Sequence, residues 1–597
     1  MEAHRQPEAE EARNPAATRE PILLAWLALA ILLTLISHGL RYSQPLVTNG
    51  WVSAHFATIA HAYQEHGVFG LGGLPIQNHS PLGLEPDAYL HWPPLFPIVL
   101  SWVFAVFGES PMAARGFATF LLLINAALVG WLLRACLSQR AALVGAFTFL
   151  CLPIVAIKGE MVMHLHLALA FTLLALLGFV EATKRAQTKR TQTKQNQTKQ
   201  NQWKSPWPWL GITSMAAAVG TSWEPALATG GLLGLALFRR RRFDLVLAAG
   251  YCLTAGVTVF LVMGLYAWQS PGLLEDLWHT VAFRLGLEYS PEQAFQVHTL
   301  VNHHSYGSYL QPSLAQVVLT FAERIWANGQ LVVTAAGWAV IAGWLHRRRP
   351  NIEAGYALGG LATMWVAWFL LMKNHAYNHQ YEMYIGAPFL AGSVGVAVAS
   401  ALAHCDVSPS PALRRAARWT LLGVLPATLL FPLVAKGRVN ASGPREISHP
   451  LLDYAQEIRQ AIPQGAVVLS PQTNMIPVYY AERHVVRGVT NWPLVERVRE
   501  ELPRVFPGSL GYLAVDSEHQ QDFSSPPSFA TEILRSEHLL LFALSLPNDL
   551  SFPEDLSLPD GLLLPRGSTT PATSPLQEPK PPQSPQPSHQ PNKGATP

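Results

Sequence analysis

Apolar residues in this chain come in long blocks, and the polar residues between them come in short, strongly charged runs. The first block is "PILLAWLALAILLTLISHGL" (21–40). Others fall at 112–134, 141–157, 161–182, 207–222, 225–238, 245–268, 329–345, 355–372, 383–403 and 420–436. Such blocks approach the roughly 20 residues with which a helix crosses a hydrocarbon core of ~30 Å. The pattern predicts an all-α polytopic membrane protein with about 11 transmembrane helices.

Two apolar stretches fit that scheme differently. The segment 94–108 is short and carries Pro93, Pro94 and Pro97, so it reads as a re-entrant or juxtamembrane helix rather than a span. The stretch "WVSAHFATIAHAYQEHG" (51–67) sets Trp51, His55, Ile59 and Ala62 at helical spacing. That spacing predicts a short amphipathic helix lying on the membrane.

Charge then orients the spans. Only 13% of the 597 residues are charged, against about 25% in soluble proteins. The basic residues cluster in "KRAQTKR", "RRRR" (239–242), "HRRRP" (346–350) and "RRAAR" (414–418). Such clusters resist translocation and mark cytoplasmic loops. The implied topology has a cytoplasmic leader at 1–20, a transmembrane domain over 21–438, and long outer loops at 41–93 and 269–328. The outer segments 41–93, 158–160, 222–225, 269–328 and 373–382 then hold only Arg41, Lys158, Arg284, Arg324 and Lys373. A formal net charge of +3, confined to loops, gives no reason to expect nucleic acid as a partner. The first block follows a polar leader and lacks a small-residue cleavage site, so it reads as a retained span. Cys136, Cys151, Cys252 and Cys405 lie in or beside predicted spans, and they imply no disulfide framework.

Beyond the last span the pattern changes. "PLLDYAQEIRQAIPQGAVVLSP" reads as an amphipathic helix leading into a strand, and "ERHVVRGVT", "LGYLAVD" and "HLLLFALS" read as further strands. Residues 445–547 are therefore expected to form a small C-terminal α/β extracytoplasmic domain. Residues 550–597 are rich in Pro, Ser and Gln and are expected to be a disordered tail. The tract 183–206, with "KRTQTKQNQTKQNQ", reads as a low-complexity cytoplasmic loop.

Candidate chemistry collects at the outer ends of the predicted spans. The first loop offers Glu65, Glu85 and Asp87 with His55, His61, His66, His79 and His91. "IKGEMVMHLH" places Glu160 at a tight turn, with His164 and His166 below it, and "TSWEPA" places Glu224 at another. The second loop adds Arg284, and "MKNHAYNHQYEMY" adds Lys373, His375, His379 and Glu382. Ionisable groups this close to hydrocarbon are costly and usually have a partner or a task. Together they predict a pocket at the outer interface for a lipid with a charged head group. Arg284, Lys373 and the histidines would meet a phosphate, and a carboxylate would serve as general base on an acceptor hydroxyl. Glu224 reads equally well as an N-terminal cap of the helix after it. No spacing resembles a compact zinc site, so no metal or other cofactor is predicted.

The motifs "HWPPL" and "VFGESPMAAR", after a first span and a long outer loop, resemble the GT-C-type integral membrane glycosyltransferases. The nearest branch is that of the protein mannosyltransferases and aminoarabinose transferases. The matching positions are His91, Pro93, Pro94, Leu95, Phe107, Gly108 and Arg115. The resemblance implies transfer of a sugar from a polyprenyl-phosphate donor to a lipid, glycan or protein acceptor on the outer face of the cytoplasmic membrane. It also implies an inverting displacement, a first-loop carboxylate as base and an acid in the next outer loop, where Glu160 stands. The family's Asp-Glu pair before the juxtamembrane helix is replaced here by "TNGWVSAHF". Asp87 is then the first-loop carboxylate expected to act, with Glu160. His55, His91, Glu224, Arg284, Lys373, His375 and His379 are the expected substrate-binding set. A catalytically inactive scaffold is one alternative. A transporter or flippase of lipid-linked substrate is another, disfavoured because the ionisable groups lie at span ends and no internal repeat is evident.

Overall fold

The computed structural model describes residues 20–46, 50–79, 86–193, 202–269, 278, 281–282, 285, 313–327, 352–407, 410–442, 449–472 and 474–546. The described chain opens with α1 and α2 (Glu20–Gly39 and Gly50–His66), the hairpin β1 and β2 (Ile76–His79 and Pro86–Ala88), and α3 (Leu95–Phe107). Then follow α4 (Pro111–Cys136), α5 (Gln139–Cys151), α6 (Pro153–Lys158), α7 (His164–Thr193), α8 (Pro206–Val219), α9 (Pro225–Arg239) and α10 (Arg242–Gln269). After α11 (Leu314–Ala327) come α12 (Ile352–Leu371), α13 (Lys373–Asn378), α14 (Ala387–Val407), α15 (Pro411–Trp419) and α16 (Leu425–Ser442).

Among the described residues, seven helical segments are long and apolar enough to cross a membrane: 20–39, 111–136, 164–188, 242–269, 352–371, 380–403 and 414–441. Three shorter apolar helices, 95–107, 139–151 and 225–239, accompany them. The expected span 329–345 lies outside the described residues, as do the tail 550–597 and most of the loop 269–328. The chain is a multi-pass membrane protein.

Local sequence explains where these helices start and stop. Ser110 accepts a hydrogen bond from the Ala113 N–H and is followed by Pro111, so α4 begins there. Ser138 caps α5 in the same way through Ala141. Gly108, at φ +79°, makes the left-handed turn that separates α3 from α4. Helix α3 has 13 residues and a length of only about 20 Å, short of a span. Helix α7 runs to Thr193, well into the tract read as a loop from 183. The predicted span 141–157 divides at Leu152 and Pro153 into α5 and α6.

Helix α2 departs from the sequence expectation. Residues 52–60 are all buried, so it does not lie on a membrane with one wet face. One side packs into the helical core, where Phe56 meets Phe96 of α3 with ring centroids 5.0 Å apart. On the other side Ala54 joins Leu452, Met475 and Ile476 in a separate apolar cluster. The reason is that its apolar positions extend beyond one stripe: Ala54, Ala57 and Ala60 are small enough to admit a second layer.

That second layer is an α/β unit built from α17 (Pro450–Ala461), β3 (Val467–Ser470), α18 (Met475–Ala481), β4 (His484–Arg487), α19 (Trp492–Val505), β5 (Gly511–Asp516), β6 (Ala530–Arg535) and β7 (Leu539–Leu544). The sheet has seven strands in the order β2-β1-β4-β3-β5-β7-β6. Strands β4, β3 and β5 are parallel. Their buried runs "VVLS" and "GYLAVD" are those of strands covered on both faces. The hairpin β1–β2 comes from the first loop and pairs with β4 at His79 and Val486. Asp87 stands on β2 opposite Asn78; its side chain is outside the described residues.

Helices α7 and α8 cross closely at two glycines. A Cβ on Gly178 would lie 2.7 Å from the Gly211 Cα, and one on Gly211 would lie 1.6 Å from the Tyr251 hydroxyl of α10. Small residues are what permit such backbone approach in a membrane core. Gly178→Leu is expected to cost about 3 kcal/mol through overpacking, read as a lower thermal midpoint in detergent. Gly230→Ala, which meets open space, should leave the midpoint unchanged or raise it.

Candidate functional site

Two clusters of ionisable and ring-bearing side chains flank the segment between α6 and α7. The first joins the ends of α1 and α16. Glu160, 6% exposed, accepts from Lys436 Nζ at 3.0 Å and Arg41 at 3.5 Å, both on Oε1. Arg115 of α4 is also buried, and its guanidinium donates to the backbone carbonyls of Arg41 at 3.1 Å and Pro45 at 2.8 Å. His38 pairs through Nδ1 with Thr119 at 3.2 Å. It can approach because residue 159 is glycine: a Cβ there would lie 3.0 Å from the His38 ring.

The polar inventory of this cluster does not close. Ser37 Oγ, His38 Nε2, Arg41 Nε, Gln44 Oε1, Glu160 Oε2 and Asn440 Oδ1 are buried and have no hydrogen-bond partner among the described residues. Groups like these are normally satisfied by protein or by water. Three cations, Arg41, Arg115 and Lys436, face one carboxylate. The arrangement is a largely buried cationic cluster: the Ser37 hydroxyl and Arg41 Nε are donors that an anion would meet, while Gln44 Oε1, Glu160 Oε2 and Asn440 Oδ1 are acceptors that call for a donor such as water.

The second cluster lies across Trp92, on the chain just after His91. Trp92 stacks on His164 with centroids 4.2 Å apart and stands 5.7 Å from His375. Glu224 reaches His164 Nε2 at 4.0 Å and accepts from the Ser222 hydroxyl. It occupies the N-cap position of α9 yet makes no side-chain capping bond, so its carboxylate serves the cluster instead of the helix end. Its chain neighbour Trp223 donates to the His91 carbonyl at 2.9 Å. His55 packs edge-on against Tyr89 at 3.9 Å, and Tyr89 against His91 at 4.5 Å. At the far side His375 bonds Glu382 at 2.8 Å, Trp368 donates to the other oxygen of Glu382 at 2.9 Å, and His379 lies 4.3 Å from His375.

The structure thus brings His55, His91, Glu224, His375 and His379 into one neighbourhood and places Glu160 in the adjoining chamber. Lys373 lies on the same short helix, α13, as His375. Arg284 lies outside the described residues. Among these residues no group of three or more His, Cys, Asp or Glu is arranged to hold a metal ion. The sequence reading missed His38, Arg41 and Lys436 as site residues. The signal was present: Lys436 closes an apolar block, a place where membrane burial makes a cation expensive.

Two measurements probe these clusters. Lys436→Met leaves Glu160 short of its nearer cation and should cost about 3 kcal/mol. The double change Lys436→Met with Glu160→Leu should recover much of that loss, because removing both partners of a buried pair is far cheaper than removing one. Thermal midpoints of the wild type, Lys436→Met, Glu160→Leu and the double variant decide. His55 is held well below its ordinary value of 6.5 by burial first, then by Arg487 and His164. The unfolded chain therefore takes up a proton below about pH 6.5 that the folded chain refuses. His55 should cost up to about 1.4 kcal/mol of stability per pH unit on acidification from there. His55→Phe should flatten the fall in midpoint between pH 7 and 5.

No family model and no curated protein matches the sequence. The fold does match. ArnT from Cupriavidus metallidurans in the apo state superposes with a TM-score of 0.54 at 15% identity, over 88% of this chain and 98% of that one. The same protein bound to undecaprenyl phosphate gives 0.52 at 14%, over 87% and 97%. The Archaeoglobus fulgidus oligosaccharyltransferase gives 0.52 at 14%, over 83% of this chain and 69% of that one. In fold, over most of its length, the chain resembles the GT-C-type membrane glycosyltransferases.

Proposed function

We propose that this chain is a membrane glycosyltransferase that moves a sugar from a polyprenyl-phosphate donor to an acceptor at the membrane surface. The observation that carries the reading is the buried basic chamber at the ends of α1 and α16. A phosphate there meets Arg41, Arg115 and Lys436, offers acceptor oxygens to donors that lack partners, and offsets charge that is otherwise costly to bury. The cluster lies at the ends of two apolar, membrane-length helices, which suits a ligand with a charged head and a long hydrocarbon tail. A solved structure of the same fold is bound to undecaprenyl phosphate.

In this reading the acceptor hydroxyl attacks the anomeric carbon from the face opposite the phosphate. The sugar–phosphate bond breaks, and the polyprenyl phosphate departs with its added charge held by the three cations. Glu160 keeps Arg41 and Lys436 apart and aimed at one point. The His- and Trp-lined cluster beside it receives sugar and acceptor. The α/β sheet takes in the first-loop hairpin, and α18 packs on α2, the helix that carries His55.

The test uses the purified full-length protein in detergent. Undecaprenyl phosphate alone should bind, and Arg41→Gln and Lys436→Gln should each weaken binding at least tenfold. Unchanged affinity in both would remove the chamber from donor recognition. A panel of radiolabelled polyprenyl-phosphate sugars then tests transfer. Binding without turnover of any donor would leave a lipid-phosphate binding protein on a transferase fold.

A further inference from the structure

A phosphate alone does not complete the cationic cluster. Arg41 and Lys436 both bond Oε1 of Glu160, and Arg115 spends two guanidinium nitrogens on the carbonyls of Arg41 and Pro45. Glu160 Oε2, Gln44 Oε1 and Asn440 Oδ1 are left buried with no donor among the described residues. The three residues are only 6%, 8% and 5% exposed. Leaving such acceptors bare costs stability. An ionised phosphate cannot answer them, because it too brings only acceptor oxygens.

Asn440 shows how these oxygens are aimed. Its Nδ2 donates to the Ser37 carbonyl at 2.7 Å. A carbonyl can only accept, so the amide nitrogen is fixed on that bond and Oδ1 is turned away from it. Asn440 stands one turn beyond Lys436 on the same face of α16. Gln44 belongs to the segment after α1 that Arg115 holds at Arg41 and Pro45. Its own N–H donates to the Arg41 carbonyl at 3.0 Å. The three oxygens therefore share the neighbourhood of the three cations, and the cluster presents hydrogen-bond donors and bare acceptors side by side.

Resting on the glycosyltransferase reading, we propose that Gln44, Asn440 and Glu160 Oε2 accept from the hydroxyls of the transferred sugar nearest its anomeric carbon, and that they select a neutral sugar. A sugar phosphate ester carries the matching pattern, with acceptor oxygens on phosphorus and hydroxyl donors on the adjoining ring. The phosphate takes the cations. The hydroxyl beside the anomeric carbon, close along the covalent skeleton to the ester oxygen, takes the bare oxygens. Charge narrows the class. An ammonium group on the sugar would meet three cations against one carboxylate, and a carboxylate would set oxygen against oxygen. A hydroxyl donates without adding charge of either sign.

The full-length protein in detergent is titrated with undecaprenyl phosphate alone and with its esters of a neutral hexose, a neutral pentose, their 2-deoxy analogues, an amino sugar and a uronic acid. A neutral ester should bind wild type at least about fivefold more tightly than its 2-deoxy analogue and than either charged sugar. Gln44→Met should cut that preference at least about threefold with undecaprenyl phosphate affinity retained. Its thermal midpoint should hold or rise, because the change removes a buried acceptor that lacks a donor. A merely structural glutamine would instead lower the midpoint and weaken every ligand alike, which overturns the proposal. Equal binding of parent and 2-deoxy esters to wild type also overturns it, leaving water as the partner of these oxygens and the phosphate reading standing. Tighter binding of the amino sugar or the uronic acid overturns the neutral class. Failure of wild type to bind undecaprenyl phosphate or any ester overturns both readings together.

Discussion

A single carboxylate, buried between two cations, ties the beginning of this fold to its end. Glu160 stands at the turn before α7, Arg41 follows the first helix, and Lys436 belongs to the last membrane-length segment, 414–441. None of the three tolerates burial alone, since an unpaired charge at this depth costs several kcal/mol. Pairing them requires that α1 and α16 lie side by side with their ends in register. The two helices run together over their length: Trp26 donates to the Leu422 carbonyl at 2.8 Å, and Asn440 donates to the Ser37 carbonyl at 2.7 Å. Arg115 then draws the chain after α1 back over the chamber through two carbonyl contacts.

The rest of the architecture follows from what that chamber needs on its other side. Helix α2 is short and buried all round over residues 52–60, so that part must be covered by something other than lipid. The α/β unit supplies that cover through α18, and the first loop returns the favour by adding the hairpin β1–β2 to the sheet. Val162 N–H donates to the Ser53 hydroxyl at 3.2 Å, which fastens α2 to the same turn that holds Glu160. The consequence is a continuous path of contacts from the sheet, through α2, to the charged chamber and the aromatic cluster.

Residue choice in the aromatic cluster shows the same economy. Trp92, Trp368, His164 and His375 all carry a flat apolar body and a polar edge, so they can pack at the ends of spans and still present hydrogen-bonding groups inward. Glu224 and Glu382 are each held by a neutral donor as well as a histidine. That arrangement gives each deep carboxylate a hydrogen-bond donor as well as an imidazole.

How much of this could be read along the chain depends on the range of the force involved. The hydrophobic blocks were legible because a membrane helix satisfies its own backbone and announces itself by composition alone. So were the strands at 467–470, 511–516 and 539–544, which are short apolar runs bounded by turns. Acids and histidines gathered at span ends were visible as expensive residues in costly places, and His55, His91, Glu224, His375 and His379 do meet. The pairing of Glu160 with Lys436 was not legible, because it spans 276 positions of sequence and only helix packing decides which ends coincide. Nor was the burial of α2 on both faces, or the hairpin from the first loop joining a sheet made of residues beyond 460. Periodicity records which face of an element is apolar and says nothing of how many partners will cover it. The sequence by itself determined the membrane class, the placement of helices and strands and the stock of chemical groups. The tertiary structure alone decided which of those groups stand together, because non-local contacts are chosen by packing the whole chain at once.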